Sequence, residues 1–177
     1  MLRHGTMFKL SDRMQAAYDH LIPDEPVWDF CCDHGYLGLS AYRSGRFPEV
    51  HFVDQVPHII EKLKTRFEQK HQKYEQHQRA FFWSQSGESL THQVSGTVVI
   101  IGVGTHTITD IMRGIHEKNS GFISRYIIST HNYEDKLNVF LDEFLPFKTA
   151  YKFTKFCNVP ENGRLRKLLI FDKICKI

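Results

Sequence analysis

The stretch that decides the fold is Pro26-Val27-Trp28-Asp29-Phe30-Cys31-Cys32-Asp33-His34-Gly35-Tyr36-Leu37. Its apolar first half predicts a short buried strand over residues 27–31, and the second half predicts a tight turn followed by a helix from Gly35. The turn brings two carboxylates, an imidazole and a glycine close together. Polar groups that directly follow a buried strand are well placed to meet a ligand. Taken alone, the stretch also fits an ordinary strand-to-helix corner with solvated acids.

Length and composition predict a single domain over residues 1–177. The chain is 41% hydrophobic and 24% charged, which is typical of a globular protein, and its net charge is +3. This mildly basic balance permits a nucleic-acid partner without requiring one. The four cysteines lack metal-finger spacing, so we expect reduced, mostly buried thiols in a cytoplasmic protein. We find no signal-peptide pattern and no apolar run of membrane-spanning length, and we expect no membrane partner.

Strand and helix patterns alternate along the rest of the chain. Strands are predicted at residues 27–31, 50–53, 80–83, 97–101 and 122–129. Helices are predicted from Ser11 to before Pro23, at 35–43, from Pro57, at 105–117 and at 133–144. The polar run at residues 70–79 is expected to project into solvent. Alternation of this kind indicates a parallel sheet with helices on both faces.

The end of the chain breaks the alternation. Two strand-like runs, residues 147–157 and 164–174, flank Pro160-Glu161-Asn162-Gly163, and Asn-Gly is a strong signal for a two-residue hairpin. Five βα units closed by an antiparallel hairpin are the layout of the class I methyltransferases. We therefore predict a Rossmann-like α/β fold with a seven-stranded, mostly parallel sheet in the order 3-2-1-4-5-7-6.

Candidate ligand residues cluster after the strands, at the edge where such sheets bind ligands. Asp54 follows the second strand, about 25 residues after Asp29, where related folds place a ribose-binding carboxylate. It also suits a helix cap before Pro57. Missing side chains at Gly102 and Gly104 let a ligand approach the backbone. The predicted cofactor-binding residues are Asp29, Cys31, Asp33, His34, Gly35, Tyr36, Asp54, Gln55, Gly87, Glu88, Gly102 and Gly104.

The absence of certain motifs narrows the choice of ligand and reaction. Neither G-x-G-x-x-G nor G-x-x-x-x-G-K is present, which disfavours a phosphate-binding loop. A first loop with acids rather than glycines suits S-adenosylmethionine, which has no phosphates and carries a sulfonium charge. G-x-S-x-G is also missing, which disfavours a hydrolase. A metal at Asp33-His34 is disfavoured because no second His/Asp pair recurs nearby at helical spacing, and we predict no metal.

Several motifs resemble the bacterial tRNA (adenine-22-N1)-methyltransferase family. The resembling segments are Leu10-Ser11-x-Arg13, Ile22-Pro23, Val27-x-Asp29, Asp33-His34-x-Tyr36-Leu37, Gly87-Glu88-Ser89-Leu90, Ile101-Gly102-Val103-Gly104 and Ser129-Thr130-His131-Asn132. They run from about Leu10 to the terminal hairpin, and the Asp-His-x-Tyr-Leu loop is the most specific of them. The resemblance implies S-adenosylmethionine as cofactor and tRNA as partner, with methyl transfer to N1 of an adenine.

Some positions depart from the family pattern. Cys31 and Cys32 stand where the family has a glycine and a small hydroxyl residue, Gly35 replaces alanine, and Thr105 replaces a second glycine. Thr130-His131 replaces Gln-Pro. The family also carries a coiled-coil extension after the catalytic domain. Because the sequence ends at Ile177, directly after the hairpin, we expect that extension to be absent.

The hypothesis of methyl transfer to an adenine assigns a role to each candidate residue. Asp54 would hold the cofactor ribose, Glu88 or its neighbours the adenine, and the turn from Asp29 to Gly35 the methionine part. Three residues are the catalytic candidates: His131 and Asn132 facing the target base, and Asp33 near its exocyclic amine.

Two other classes of function stay open: methylation of a small molecule or protein, and a non-catalytic binding module of the same fold. The basic residues Lys62, Lys64, Arg66, Lys70 and Lys73 fit either an RNA surface or a solvated helix face. The oligomeric state is left open.

Overall fold

A computed structural model describes residues 8–70 and 79–175 of the chain. The strands are β1 (Val27–Phe30), β2 (Glu49–Asp54), β3 (Arg79–Ser84), β4 (Gly96–Val103), β5 (Ile123–Thr130), β6 (Tyr151–Glu161) and β7 (Arg164–Lys173). The α-helices are α1 (Asp12–Asp19), α2 (Tyr36–Ser44), α3 (Pro57–Lys70), α4 (Thr105–Asn119), α5 (Glu134–Glu143) and α6 (Leu145–Ala150), and a 3-10 turn covers Gly87–Ser89. Most of the polar run predicted to project into solvent, residues 71–78, lies outside the described residues.

The predicted sheet topology is confirmed. The strands pair in the order β3-β2-β1-β4-β5-β7-β6. The first five are mutually parallel, whereas β7 pairs antiparallel with both β5 and β6. The order reverses between β1 and β4, and this reversal opens a crevice at the carboxyl edge of the sheet.

Two hydrophobic cores explain how the sheet is covered. Residues of α1, α2 and α3, such as Ala17, Leu39 and Leu63, pack on one face, and residues of α4, α5 and α6, such as Ile108, Phe140 and Phe147, pack on the other. The central strand β4 is buried along residues 96–101 because helices cover it on both sides. Its nearly continuous apolar sequence therefore reflects burial on both faces.

The Asn162-Gly163 hairpin is also confirmed. Glu161 and Arg164 pair directly across the turn, and Asn162 and Gly163 both have positive φ, 50° and 73°. Two successive left-handed residues define the turn type that matches the twist of a β-hairpin.

The prediction that a strand begins at Phe147 is wrong. Residues Leu145–Ala150 form a short helix with Pro146 in its first turn, and the strand begins at Tyr151. Pro146 favours a helix start because it has no amide hydrogen to satisfy there. The Phe147 side chain is buried in the core beside Tyr126 and Tyr151, so tertiary packing fixes a segment that has strand-like composition.

All four cysteines are free thiols, as expected, but they are not mostly buried. Only Cys32 is fully buried. Cys31 and Cys157 are partly buried, and Cys175 is exposed. Cys31 also lies just beyond the end of β1 rather than within the strand, because the chain leaves the sheet there in a left-handed conformation, with φ 56°. Within the described residues, every helix is too short or too polar to cross a lipid bilayer.

Candidate functional site

A cleft of about 340 Å³ opens at the carboxyl edge of the sheet, where the strand order reverses. Its walls come from the ends of β1, β2 and β4, from the segment after β3 and from the start of α4. The lining residues are Phe30, Cys31, Asp33, Val53, Asp54, Gln55, Val56, Ile59, Gln85, Ser86, Gly87, Glu88, Gly102, Val103, Thr107 and Ile111. Seven of the residues predicted to bind cofactor are thus brought together: Cys31, Asp33, Asp54, Gln55, Gly87, Glu88 and Gly102.

The turn after β1 forms the floor of the cleft through alternating backbone conformations. Cys31, Asp33 and Gly35 all have positive φ, at 56°, 46° and 68°. The amide of Cys32 donates to the carbonyl of Val53 at 3.2 Å, and the amide of Gly35 donates to the carbonyl of Cys32 at 2.7 Å. Burial, and secondarily the charge of Asp54, raises the pKa of the Cys31 thiol to about 12, so this thiol stays protonated at neutral pH.

Asp54 joins the first two strand ends. One carboxylate oxygen accepts the amide of Val56 at 3.0 Å, and the other accepts the amide of Asp33 at 3.4 Å. The first contact forms a local turn between the end of β2 and the start of α3, and the second ties the end of β2 to the turn after β1. Each oxygen can accept at least one further hydrogen bond, so the carboxylate retains capacity for ligand hydroxyls on the cleft side.

Asp29 does not line the cleft. Its side chain is buried beneath the turn, where one carboxylate oxygen accepts the amide of Gly38 in α2 at 3.0 Å. Burial raises the pKa of Asp29 to about 7, the hydrogen bond from Gly38 opposes this shift, and the charge of Asp54 adds to it. The structure therefore places Asp29 as a support for α2 and the turn, rather than as a wall of the cleft.

The glycines around the cleft play different structural parts. A Cβ on Gly102, which has φ 81°, would meet no atom within 4 Å, so open space lies beside its backbone. A Cβ on Gly87 would lie 2.8 Å from Ile111 and 2.9 Å from Phe30. Close packing therefore requires glycine at position 87, whereas the left-handed backbone and the open approach favour it at position 102.

His34, Gly35 and Tyr36 lie beside the cleft rather than in it. His34 is exposed, its Nε2 lies 3.7 Å from an Asp33 carboxylate oxygen, and it lines a neighbouring depression. Its backbone carbonyl accepts a hydrogen bond from Arg66, whose guanidinium also lies over the Tyr36 ring. Gly35 is the N-cap of α2, and a Cβ at this position would lie 2.7 Å from the Leu63 side chain. These three residues therefore lie in or next to the turn after β1 but do not line the cleft.

The loop after β5 carries His131 and Asn132 and contacts the end of β4 and the start of α4. The hydroxyls of Thr105 and Thr130 each lie 2.7 Å from the Asn132 carbonyl oxygen, and the His131 amide donates to Val103 at 2.9 Å. A Cβ on Gly104 would lie 3.3 Å from the Asn132 amide oxygen, so glycine leaves room for that side chain.

The His131 side chain lies close enough to the positive charges of Arg13 and Arg166 to be affected by them. Burial lowers the pKa of His131, the charges of Arg13 and Arg166 lower it further, and Glu161 and a backbone hydrogen bond with Gly102 oppose the shift. The imidazole is therefore favoured in its neutral form at neutral pH. Neither His131 nor Asn132 lines the cleft that contains Asp54.

Several cleft residues were not predicted from sequence. Gln85 and Ser86 follow β3, and Thr107 lies in the first turn of α4. The Gln85 side-chain oxygen is buried and has no hydrogen-bond partner among the described residues. A polar residue directly after the third strand was the available signal, by the same logic that selected Asp54. The described part of the chain contains no cluster of three or more His, Cys, Asp or Glu side chains able to hold a metal.

Comparison with known proteins gives one family match and a set of similar folds. A family model described as a methyltransferase domain matches residues 10–154. No curated protein sequence matches the chain.

The fold is similar to those of three solved methyltransferases. TrmK of M. capricolum, in complex with S-adenosyl-homocysteine, has TM-score 0.73 and 19% identity over 94% of this chain and 70% of that chain. The B. subtilis M1A22 tRNA methyltransferase TrmK has TM-score 0.76 and 17% identity over 93% of this chain and 67% of that chain. The magnesium protoporphyrin IX methyltransferase of Synechocystis PCC 6803 has TM-score 0.61 and 11% identity over 91% and 74%. At these identities the structures establish a shared fold. The family model spans the strands that form the cleft, and the chain belongs to the methyltransferase domain family.

Proposed function

We propose that this protein transfers a methyl group from S-adenosylmethionine to N1 of an adenine in tRNA. The observation that carries the proposal is the cleft at the switch point of a methyltransferase sheet, where Asp54 presents a carboxylate with free acceptor capacity. The tRNA substrate is supported by the resemblance in the Asp33-His34-x-Tyr36-Leu37 loop and by the similarity of the fold to the two TrmK structures.

The cleft has the size and the groups that the cofactor needs. Its volume, about 340 Å³, is within the range of small-molecule sites. Asp54 can accept hydrogen bonds from ribose hydroxyls, and the buried Gln85 oxygen is an unused acceptor for an amino group such as that of adenine. The open backbone at Gly102 leaves room for the rest of the molecule.

When bound, S-adenosylmethionine supplies a methyl group on sulfonium sulfur, so that the adenine N1 lone pair forms the new N–C bond as the S–C bond breaks and sulfur keeps the electron pair. The N1 lone pair is free, so no side chain must remove a proton before attack. The contribution of the protein is alignment of the reacting atoms and exposure of the base. Asn132 offers an amide and His131 a neutral imidazole to the base, while the exposed Asp33 carboxylate can stabilise the positive charge that develops on it.

Asp54→Asn tests the cofactor site. The substitution keeps the shape and one acceptor but removes the charge and half of the acceptor capacity. We expect S-adenosylmethionine affinity, measured by titration calorimetry, to fall about 10- to 100-fold, as for the loss of hydrogen bonds to a charged group. Asp110→Asn is the matched control, because Asp110 is an exposed carboxylate on α4 outside the cleft. Equal affinities in the two variants would contradict the assignment of Asp54.

Methyl transfer tests the substrate. We expect labelled methyl groups to pass to an unmodified tRNA transcript, and mass spectrometry to locate 1-methyladenine in it. Transfer to a small molecule or a protein, with none to tRNA, would replace the proposed substrate but leave the cofactor site intact. Tight cofactor binding with no transfer to any acceptor would instead indicate a non-catalytic module.

A further inference from the structure

The β6–β7 hairpin extends well past the strand it pairs with. β5 pairs with β7 only from Arg125 to Ile128, opposite Asp172 to Leu169. The hairpin continues for five residues on each strand beyond this ladder, and we call residues 157–161 and 164–168 the hairpin arm. At about 3.3 Å per residue the arm is roughly 16 Å long. It lies at the carboxyl edge of the sheet because β7 runs antiparallel to β5.

The arm is anchored against the loop that carries His131 and Asn132. Arg166 donates through Nη1 to the His131 carbonyl at 2.6 Å, and Lys167 Nζ lies 3.7 Å from the Glu134 carboxylate at the start of α5. On the other side, Glu161 lies 3.2 Å from Arg13 of α1. Contacts from the middle of the arm to its tip therefore hold it against three elements, beside the proposed target-base residues.

The hairpin arm carries an excess of positive charge. It carries Arg164, Arg166 and Lys167 but a single acid, Glu161, and that acid is already shared by Arg13 and Arg166. Arg164 and Lys167 are exposed, with the exposed Leu165 between them. Because strand residues alternate, Arg164 and Lys167 lie on opposite faces of the two-stranded ribbon. A polyanion that crosses the arm meets a cation on either face.

We propose that the hairpin arm is an RNA-binding element whose Arg164 and Lys167 contact backbone phosphates next to the methylated nucleotide. The inference rests on the proposed function, because an adenine that enters the site brings its own flanking phosphates to the rim formed by the loop and the arm. Phosphate contacts from Arg and Lys position a nucleic acid without reading its sequence. The arm thus sets where the RNA lies, and the residues at positions 131 and 132 meet the base.

The test compares charge-neutralised variants for binding to an unmodified tRNA transcript by fluorescence anisotropy. For the double variant Arg164→Gln/Lys167→Gln we expect the Kd to rise about tenfold, and the slope of log Kd against log salt to fall by about 0.7 for each lost contact. The control is Lys155→Gln, which removes one positive charge, as each of the single variants Arg164→Gln and Lys167→Gln does, from an exposed position of β6 outside the arm. We expect the control to bind tRNA like the unaltered protein, and all variants to bind S-adenosylmethionine equally.

The outcomes separate this inference from the proposed function. If the unaltered protein methylates tRNA but the double variant matches Lys155→Gln in both Kd and salt slope, the arm has no part in RNA binding. If the unaltered protein neither binds nor methylates tRNA, the substrate proposal fails as well. A variant that loses S-adenosylmethionine binding has a damaged fold, and the single variants Arg164→Gln and Lys167→Gln then replace it, each expected to lower the slope by about 0.7.

Discussion

At the scale of single residues, Cys31 adopts a strained backbone conformation in the turn after β1. Its φ of 56° is left-handed, a conformation that costs an L-residue with a Cβ roughly 1–2 kcal/mol. The turn keeps this geometry because the Cys32 amide is held by Val53 and the Gly35 amide by Cys32. The family resemblance implies glycine at position 31, and the left-handed backbone gives the physical reason for that preference.

Comparing Cys31→Gly with Cys31→Ala isolates this strain, since both variants lack the thiol and only alanine keeps a Cβ. We expect the glycine variant to be more stable by about 1 kcal/mol, equivalent to a Tm higher by about 2–4 °C for a domain of this size. Thermal unfolding followed by circular dichroism measures the difference. An alanine variant as stable as the glycine variant would mean that the turn relaxes away from a left-handed conformation.

The candidate site could be predicted at some residues and not at others. Asp54 and Gly102 were found because each directly follows a strand that sequence patterns identify. Asp29 was placed in the same group, but a strand pattern does not reveal where a carboxylate finds its partner, and here the partner is the Gly38 amide. Gln85 and Ser86 directly follow the third strand and carry the same signal as Asp54, whereas Thr107 lies within a helix, where no strand end points to it.

At the scale of elements, the link between α1 and the hairpin arm depends on a carboxylate shared by two guanidiniums. The side chains of Arg13 and Arg166 are only 8% and 17% exposed, and that of Glu161 is 20% exposed. Arg13 Nη1 is buried and has no hydrogen-bond partner among the described residues, and burial lowers the pKa of Arg13. The carboxylate offsets the cost of burying these charges, and removing it leaves them uncompensated.

Glu161→Gln should therefore destabilise the fold while changing almost no volume. We expect a loss of about 2 kcal/mol in urea unfolding, below the 3–5 kcal/mol typical of fully buried pairs because Glu161 still contacts solvent. Asp142→Asn is the control, since it breaks the exposed Lys148–Asp142 pair at 3.2 Å and should cost at most about 0.5 kcal/mol. Equal losses in the two variants would show that the partly buried pair contributes no more than a surface one.

Element boundaries show where sequence patterns stop being sufficient. The alternation of strands and helices, closed by a hairpin, predicts a mostly parallel sheet, and the layout of the class I methyltransferases supplies the strand order. The sequence pattern predicts a strand from Phe147, inside the helix Leu145–Ala150, because Phe147, Tyr151 and Phe153 are aromatic residues that suit a strand. Pro146 was the local sign of a helix start, and the burial of Phe147 among other aromatic rings decides the outcome.

At the scale of the whole molecule, two buried groups make opposite contributions to pH-dependent stability. Burial raises the pKa of Asp29 from 3.8 to about 7, so between these values the folded state keeps a proton that the unfolded chain has lost. Stability contributed by Asp29 therefore falls as pH rises from 4 to 7. Across most of the same range a second group acts in the opposite direction.

That second group is His51. Its ring stacks on Trp28 at 3.7 Å, and its Nδ1 accepts a hydrogen bond from Trp83 at 3.1 Å, so the folded protein holds the neutral tautomer. Burial lowers the pKa of His51 from 6.5 to about 4, although the neighbouring Glu49 opposes the shift. The unfolded chain then binds the extra proton between these values, and stability falls as pH drops from 6.5 to 4. The contributions of Asp29 and His51 therefore have opposite signs between pH 4 and 6.5.

Asp29→Asn should reveal the pH dependence of stability that Asp29 contributes. Asparagine can still accept a hydrogen bond from the Gly38 amide, but it no longer titrates. Relative to the unaltered protein, the variant should gain on the order of 3 kcal/mol in unfolding free energy as pH rises from 4 to 7. Urea unfolding at half-unit pH steps gives this difference curve, in which the contributions of all other titrating groups cancel. Asp110→Asn, on an exposed carboxylate, should give a flat curve. A flat curve for Asp29→Asn as well would mean that Asp29 is ionised in the folded protein, and that its hydrogen bond to α2 offsets the cost of burial.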